Sequence, residues 1–159
     1  MSLDIFLKVD GVPGESHDRA HADEIDVVSF TWGASNAGGS STGGGGGAGK
    51  VQIDALDIVK RIDKASPKLF LSCASGQHIK QCILAARGTG ASSDFMSVKL
   101  FDCVIASLID SGSHDAGTAQ ETVGIGFAKI VFEYRPQKPD GTPDALVVAG
   151  WDLKLNKPV

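Results

Sequence analysis

Five residues with metal-ligating or acid–base side chains crowd into one short stretch: Glu15, His17, Asp18, His21 and Asp23. Imidazoles and carboxylates at that density are a donor set for a divalent cation. The spacing of His17 and His21 would put both on one face only if the segment were helical. It follows Val12–Pro13–Gly14 and has no apolar stripe, so it reads as a polar loop, solvated or at an interface. Ser113, His114 and Asp115 are the residue types of a hydrolytic triad, but as sequence neighbours they cannot line up nucleophile, base and orienter, and no GxSxG elbow is present. His78, after Gly76, reads as a surface or interface polar group. Gly44–Lys50, GGGGAGK, meets the GxxxxGK part of a phosphate-binding loop. However, Val51 stands where magnesium would need a Ser or Thr, and Lys50 opens a strand-like run rather than a helix whose N-terminus could face phosphate. No catalytic residue, metal ligand or cofactor is assigned on these grounds; a small metal-binding barrel using His17 and His21 stays open as an alternative.

The elements that must position these groups read mainly as strands. Leu3, Ile5, Leu7 and Val9 alternate with Asp4, Lys8 and Asp10, the period of a half-buried strand, with Phe6 breaking the polar side. In Glu24–Trp32 the apolar residues Ile25 and Val27 change phase to Val28, Phe30 and Trp32. Val51–Val59 changes phase likewise around Ala55. Side chains alternate strictly along a regular strand, so a phase change implies a bulge, a bend, or two halves that bury opposite faces. Met96, Val98, Leu100, Val104, Ala106 and Leu108 are expected on one face of a further strand, opposite Phe101, Cys103 and Ile105. In Thr122–Tyr134, Val123, Ile125, Phe127 and Val131 oppose Ile130, Phe132 and Tyr134. One helix is expected over Asp63–Gly76, with Ser66 as N-cap, Pro67 at the first helical position, Gly76 closing the last turn, and Leu69, Phe70, Cys73 and Ala74 on the docking side. Pro139–Asp140–Gly141 marks a turn, and Ala149–Leu155 reads as a last strand. The pattern predicts a mainly antiparallel β-barrel or sandwich with the helix against one open end.

Between two strand-like runs lies Asn36–Gly49, NAGGSSTGGGGGAG. Glycine loses more backbone entropy on ordering than any other residue, and this stretch has almost no side chains to bury in return. A loop of more than about 12 residues inside a compact domain is usually a functional loop or a linker; its neighbours look like parts of one domain, so a surface contact loop is expected.

At 159 residues and 16.5 kDa the chain fits one domain, 1–159. With 42% apolar and 21% charged residues it reads as an ordinary globular protein, without an apolar run long enough to span a membrane. Asp4, Lys8 and Asp10 fall where an export signal would need a basic start and an apolar core, so no conventional signal peptide is expected. Cys73, Cys82 and Cys103 form neither a CxxC nor a second pair, and reduced, mostly buried thiols are expected. A net charge of −4 with interspersed signs argues against nucleic acid as a partner.

Read together, several segments resemble the haemolysin-coregulated protein (Hcp) family, the tail-tube component of bacterial type VI secretion systems. They are Asp4–Lys8 with Gly14–Glu15–Ser16, HADEIDV at His21–Val27, FTWG at Phe30–Gly33 and GGGGGAGKV at Gly43–Val51. DKASPKLFL at Asp63–Leu71, ASGQHIK at Ala74–Lys80 and GWDL at Gly150–Leu153 complete the series. The resemblance runs through almost the whole chain and is weakest over Asp110–Gln120. It implies a small β-barrel with one attached helix and a homohexameric ring with a wide channel. Such rings stack into a tube propelled through a contractile sheath, leaving the cell with the spike protein. Small effector proteins would ride inside, carried and stabilised. The chain would fold in the bacterial cytoplasm and be secreted without a signal peptide. The extended loop would reach toward the next ring through Gly43, Gly44, Gly45, Gly46, Gly47, Ala48, Gly49 and Lys50; lumen residues that touch cargo stay unassigned. A tube protein of a phage or another contractile injection device is the nearest alternative.

Overall fold

The computed structural model describes residues 2–37 and 50–159. The chain begins with β1 (Leu3–Val9), then β2 (Ile25–Val27), β3 (Ser29–Thr31), β4 (Ala34–Asn36), β5 (Val51–Ile53) and β6 (Leu56–Arg61). It continues through helix α1 (Ser66–Ser75) to β7 (Ile79–Gly88), β8 (Met96–Gly112), β9 (Ala119–Gly126), β10 (Lys129–Tyr134), β11 (Val147–Asp152) and β12 (Lys157–Pro158). All pairings are antiparallel: β2–β1–β7–β8–β10–β11–β12 forms one path, and β8–β9–β6–β3 branches from it. β4 and β5 pair with each other as a separate hairpin.

The phase changes read in the sequence are places where the chain passes from one neighbour to another. Ile25–Val27 pairs with β1, and Ser29–Thr31 pairs with β6; between them Val28 is exposed and its N–H donates to the Val59 carbonyl at 2.7 Å. Ile25 is buried in the first register, and Phe30 packs on the core from the second. Likewise Val51–Ile53 faces β4, and Leu56 and Ile58 enter the core from β6. The expected mainly antiparallel β fold with one helix is present. The strands wrap one core, but among the described residues their ladders do not close: the path ends at β2 and β12, and β3 joins a different neighbour.

Two runs read as continuous are broken. In β8, Val98 and Leu100 are buried, Asp102 adopts a left-handed backbone (φ 54°), and Cys103 and Ile105 then face the core, so Val104 and Ala106 point outward instead of sharing the face of Leu100. A register shift between Ile105 and Ser107 reverses the phase again, and Leu108 packs on the core. Thr122–Tyr134 divides into β9 and β10 at Phe127–Ala128, because β9 pairs with β6 and β8, and β10 with β8 and β11.

The helix lies where expected, with a different cap and a different face. Ala65, not Ser66, occupies the N-cap position, already with helical dihedrals and no side-chain cap; Pro67 is the second helical residue. Asp63 takes over part of the capping role by accepting the Ala65 N–H at 2.9 Å. Gly76 closes the C-terminus in the left-handed conformation (φ 65°), as its lack of Cβ allows. Leu69 and Ser72 are buried and Cys73 packs on the core, whereas Phe70 and Leu71 are each 62% exposed. α1 packs against β8. The strand expected over Ala149–Leu155 is β11, Val147–Asp152, and a turn with Asn156 at φ 52° leads on to one further strand, β12. In the expected Pro139–Gly141 turn, the Asp140 carboxylate accepts from the Thr142 amide and hydroxyl, which holds it below the usual carboxylate range.

Candidate functional site

None of the sequence-flagged chemical groups converges on a catalytic arrangement. Gly43, Gly44, Gly45, Gly46, Gly47, Ala48 and Gly49 lie outside the described residues; Lys50 is exposed and runs into β5, a strand and not a phosphate-facing helix. Ser113, His114 and Asp115 all lie exposed in the β8–β9 connection. His78 is exposed and pairs with Asp102 at 3.2 Å. Glu15 accepts the Lys64 amide at 2.9 Å, and Asp18 forms an ion pair with Arg87 that holds its carboxyl below the usual range. His17 is exposed, whereas His21 is buried with Nδ1 against Glu24 and Nε2 against Asp94, so the two histidines are not poised as joint metal ligands. Among the described residues no group of three or more His, Cys, Asp or Glu side chains is arranged for an ion. The cysteines are free; Cys82 and Cys103 are buried together, and a hydrogen bond to the Cys103 sulfur, with burial, pushes the Cys82 thiol up.

What the fold builds instead is a half-covered apolar face. Residues directly opposite in an antiparallel pair share a face. Ile130 opposes Leu100 and Trp151, and Phe132 opposes Val98 and Ala149. Val98, Leu100 and Ile130 are buried, but along the same face Phe132, Tyr134 and Val147 are exposed. The core face thus runs out from under its cover. There the β4–β5 hairpin stands over it, leaving a groove of about 550 Å³ lined by Trp32, Val51, Ile53, Phe132, Trp151 and neighbours. Trp32 meets Phe132 with ring centroids 5.7 Å apart. Gly150 is required beneath it, since a Cβ there would come within 2.9 Å of the Ile130 carbonyl oxygen. The Trp151 indole N–H is buried without a hydrogen-bond partner among the described residues. Apolar area of this kind, continuous with a core and bordered by the separate β4–β5 sheet, is what protein association covers.

Sequence reasoning missed this groove because its two tryptophans lie in motifs at opposite ends of the chain; their shared setting, an aromatic beside glycine in FTWG and GWDL, is the signal that could have linked them. It also missed a dry ion cluster under the helix. Lys60, with no exposed surface, holds Glu121 and Asp63 each at 2.8 Å and donates to the Ser66 hydroxyl at 3.0 Å, which donates in turn to Glu121 at 2.9 Å. Ser66 is drawn into this cluster and so leaves the cap to its neighbours.

The comparisons agree with the resemblance over most of the chain. The family profile described as "Type VI secretion system effector, Hcp" matches residues 6–134. Protein hcp1 of Pseudomonas aeruginosa is 39% identical, with 98% of each chain covered. The crystal structure of Hcp1 from Salmonella typhimurium is 39% identical and superposes with a TM-score of 0.83 over 100% of both chains. A structure described as that of a type six secretion system protein, 30% identical, reaches 0.93 over 99% of this chain and 100% of its own. With a profile match across most of its length and relatives at this identity, the chain belongs to the Hcp family, the structural tube proteins of type VI secretion systems.

Proposed function

We propose that residues 1–159 act as a single domain that assembles into a homohexameric ring, and that stacked rings form the secreted tube. In this reading the protein folds in the cytoplasm and leaves through the type VI apparatus, meeting the contractile sheath outside and the spike protein at the tip. Small effector proteins ride in the channel and are stabilised there by mass action. The protein's work is mechanical and thermodynamic, with no reaction to catalyse. The observation that carries the proposal is the half-covered apolar face of β8, β10 and β11 beside the β4–β5 hairpin, which has the character of an unfinished interface. Each copy carries a net charge of −4, so assembly must come from that burial and from local complementarity, since like net charge opposes it. Gly43–Lys50, which precedes β5 in the sequence, is proposed to contact the next ring, its backbone ordered by stacking.

Light scattering coupled to size exclusion, followed by negative-stain imaging of the same peak, tests this reading. Open rings near six times 16.5 kDa are expected; a clean monomer at micromolar concentration would overturn the ring and with it the carrier role. Deleting Gly43–Gly49 is expected to leave the ring mass unchanged and to abolish tubes in cells; normal tubes in that variant would refute the stacking assignment.

A further inference from the structure

His21 sits between two carboxylates that belong to different parts of the chain. Nδ1 lies 3.1 Å from Glu24, on its own loop before β2, and Nε2 lies 3.0 Å from Asp94, on the β7–β8 connection. The imidazole stacks on Phe6 of β1 with centroids 4.3 Å apart and planes 11° from parallel. Arg87 of β7 lies over the same phenyl group at 5.3 Å and is itself paired with Asp18 and Asp4. Those two carboxylates are therefore engaged, and Glu24 and Asp94 are left to face the imidazole. Arg135, after β10, lines a hollow together with Asp94.

We propose that His21 is a proton-operated latch that ties the polar loop of residues 13–24 to the β7–β8 connection of residues 89–95. An imidazolium donates from both nitrogens and satisfies both carboxylates. A neutral imidazole donates from one and turns the lone pair of the other toward a carboxylate, so one of the two attachments is lost. Asp94 is the attachment that gives way, because its side chain is more exposed than that of Glu24 (34% against 15%) and water can replace the imidazole there. Burial opposes the charged form, but the hydrogen bonds to Asp94 and Glu24 outweigh it and the charge of the two carboxylates adds to them, raising the pKa above the ordinary histidine value. A raised pKa in the folded protein means that the contribution of the latch is complete below the ordinary value of about 6.5 and is lost as pH climbs through the folded one. The loops are held at low pH and part as pH rises through the raised pKa of His21.

The test is an NMR titration of the histidines in the native protein, with hydrogen exchange of the 92–95 amides followed over the same pH range. The His21 resonance is assigned by its loss in His21→Gln. It is expected to titrate above the ordinary histidine value of about 6.5. Asp94→Asn, which keeps the imidazole and Glu24, is expected to lower its midpoint. Corrected for intrinsic exchange, the 92–95 amides are expected to exchange several-fold more slowly in the wild type than in Asp94→Asn below the midpoint, and equally above it. A His21 midpoint at or below that ordinary value, or a ratio of exchange rates that does not change with pH, would overturn the latch. Should His21→Gln fail to fold, the Asp94→Asn comparison still decides the question.

Discussion

Two ionic clusters fasten polar segments to the same β scaffold by different means. Beneath the helix, the Lys60 ammonium, with no exposed surface, presents its three donors to Asp63, Ser66 and Glu121 at 2.8–3.0 Å. At the other site, an imidazole with two donors joins two loops, and one of its carboxylates is a third exposed. The three donors of the lysine are matched to acceptors, while the second Glu121 oxygen, Oε1, is buried with no hydrogen-bond partner among the described residues, so removing the ammonium strands charge away from water. The second borders solvent, and water can take over a lost contact. Burial thus makes one attachment permanent; exposure, with a side-chain type that titrates near neutrality, makes the other adjustable.

The largest expected effect comes from the dry cluster. Lys60→Met should strand two carboxylates and cost about 3–5 kcal/mol in urea unfolding, whereas Lys60→Met combined with Glu121→Leu should recover much of that loss, since replacing a buried pair by packed apolar groups is often near neutral. Equal losses in the single and double variants would remove the pair's electrostatics from the account. Gly14→Ala acts on the other side of the comparison. A Cβ at Gly14 would stand 2.4 Å from the Glu24 carbonyl oxygen, against backbone that must move, and a cost of about 1–3 kcal/mol is expected in the same assay. Because Glu24 holds His21, the variant should also shift the His21 titration, and an unchanged midpoint would show the two to be uncoupled. The smallest change is Ser66→Ala, which removes one buried hydroxyl between Lys60 and Glu121; about 1 kcal/mol is expected, with helical circular dichroism retained. Loss of the helix signal would instead restore Ser66 to the capping role that the sequence suggested.

The sequence signals that survive folding best are those that depend on one strand and one core. Ile5, Leu7 and Val9 bury as their alternation predicts; Phe6, the exception, is covered because Arg87 and His21 close over it. Phase changes at Val28 and Ala55 marked where strands part, but a phase change names no partner, and the pairing of β3 with β6 reaches past the intervening β4 and β5. The Asp102 kink was invisible because a single left-handed aspartate leaves no mark on hydrophobic spacing, and it moved Val104 from the expected face to the surface. Phe70 was expected on the docking face because helical periodicity allowed it, yet α1 meets β8 along Leu69 and Ser72. The candidate groove was not legible at all, since Trp32 and Trp151 come together only through the order of the sheet. The glycine segment announced itself by composition, although Gly43–Gly49 fall outside the described residues.

One long strand carries a mechanical consequence. β8 spans 17 residues and belongs to both branches of the sheet, pairing with β7 and β10 along its first half and with β9 along its second. Force applied to one branch therefore reaches the other along a covalent backbone, without having to cross a seam of side-chain contacts. For a structural tube subunit, the kink at Asp102 and the register shift after Ile105 are bends in a single continuous beam, and a load can turn the corner of the molecule without prising its two walls apart.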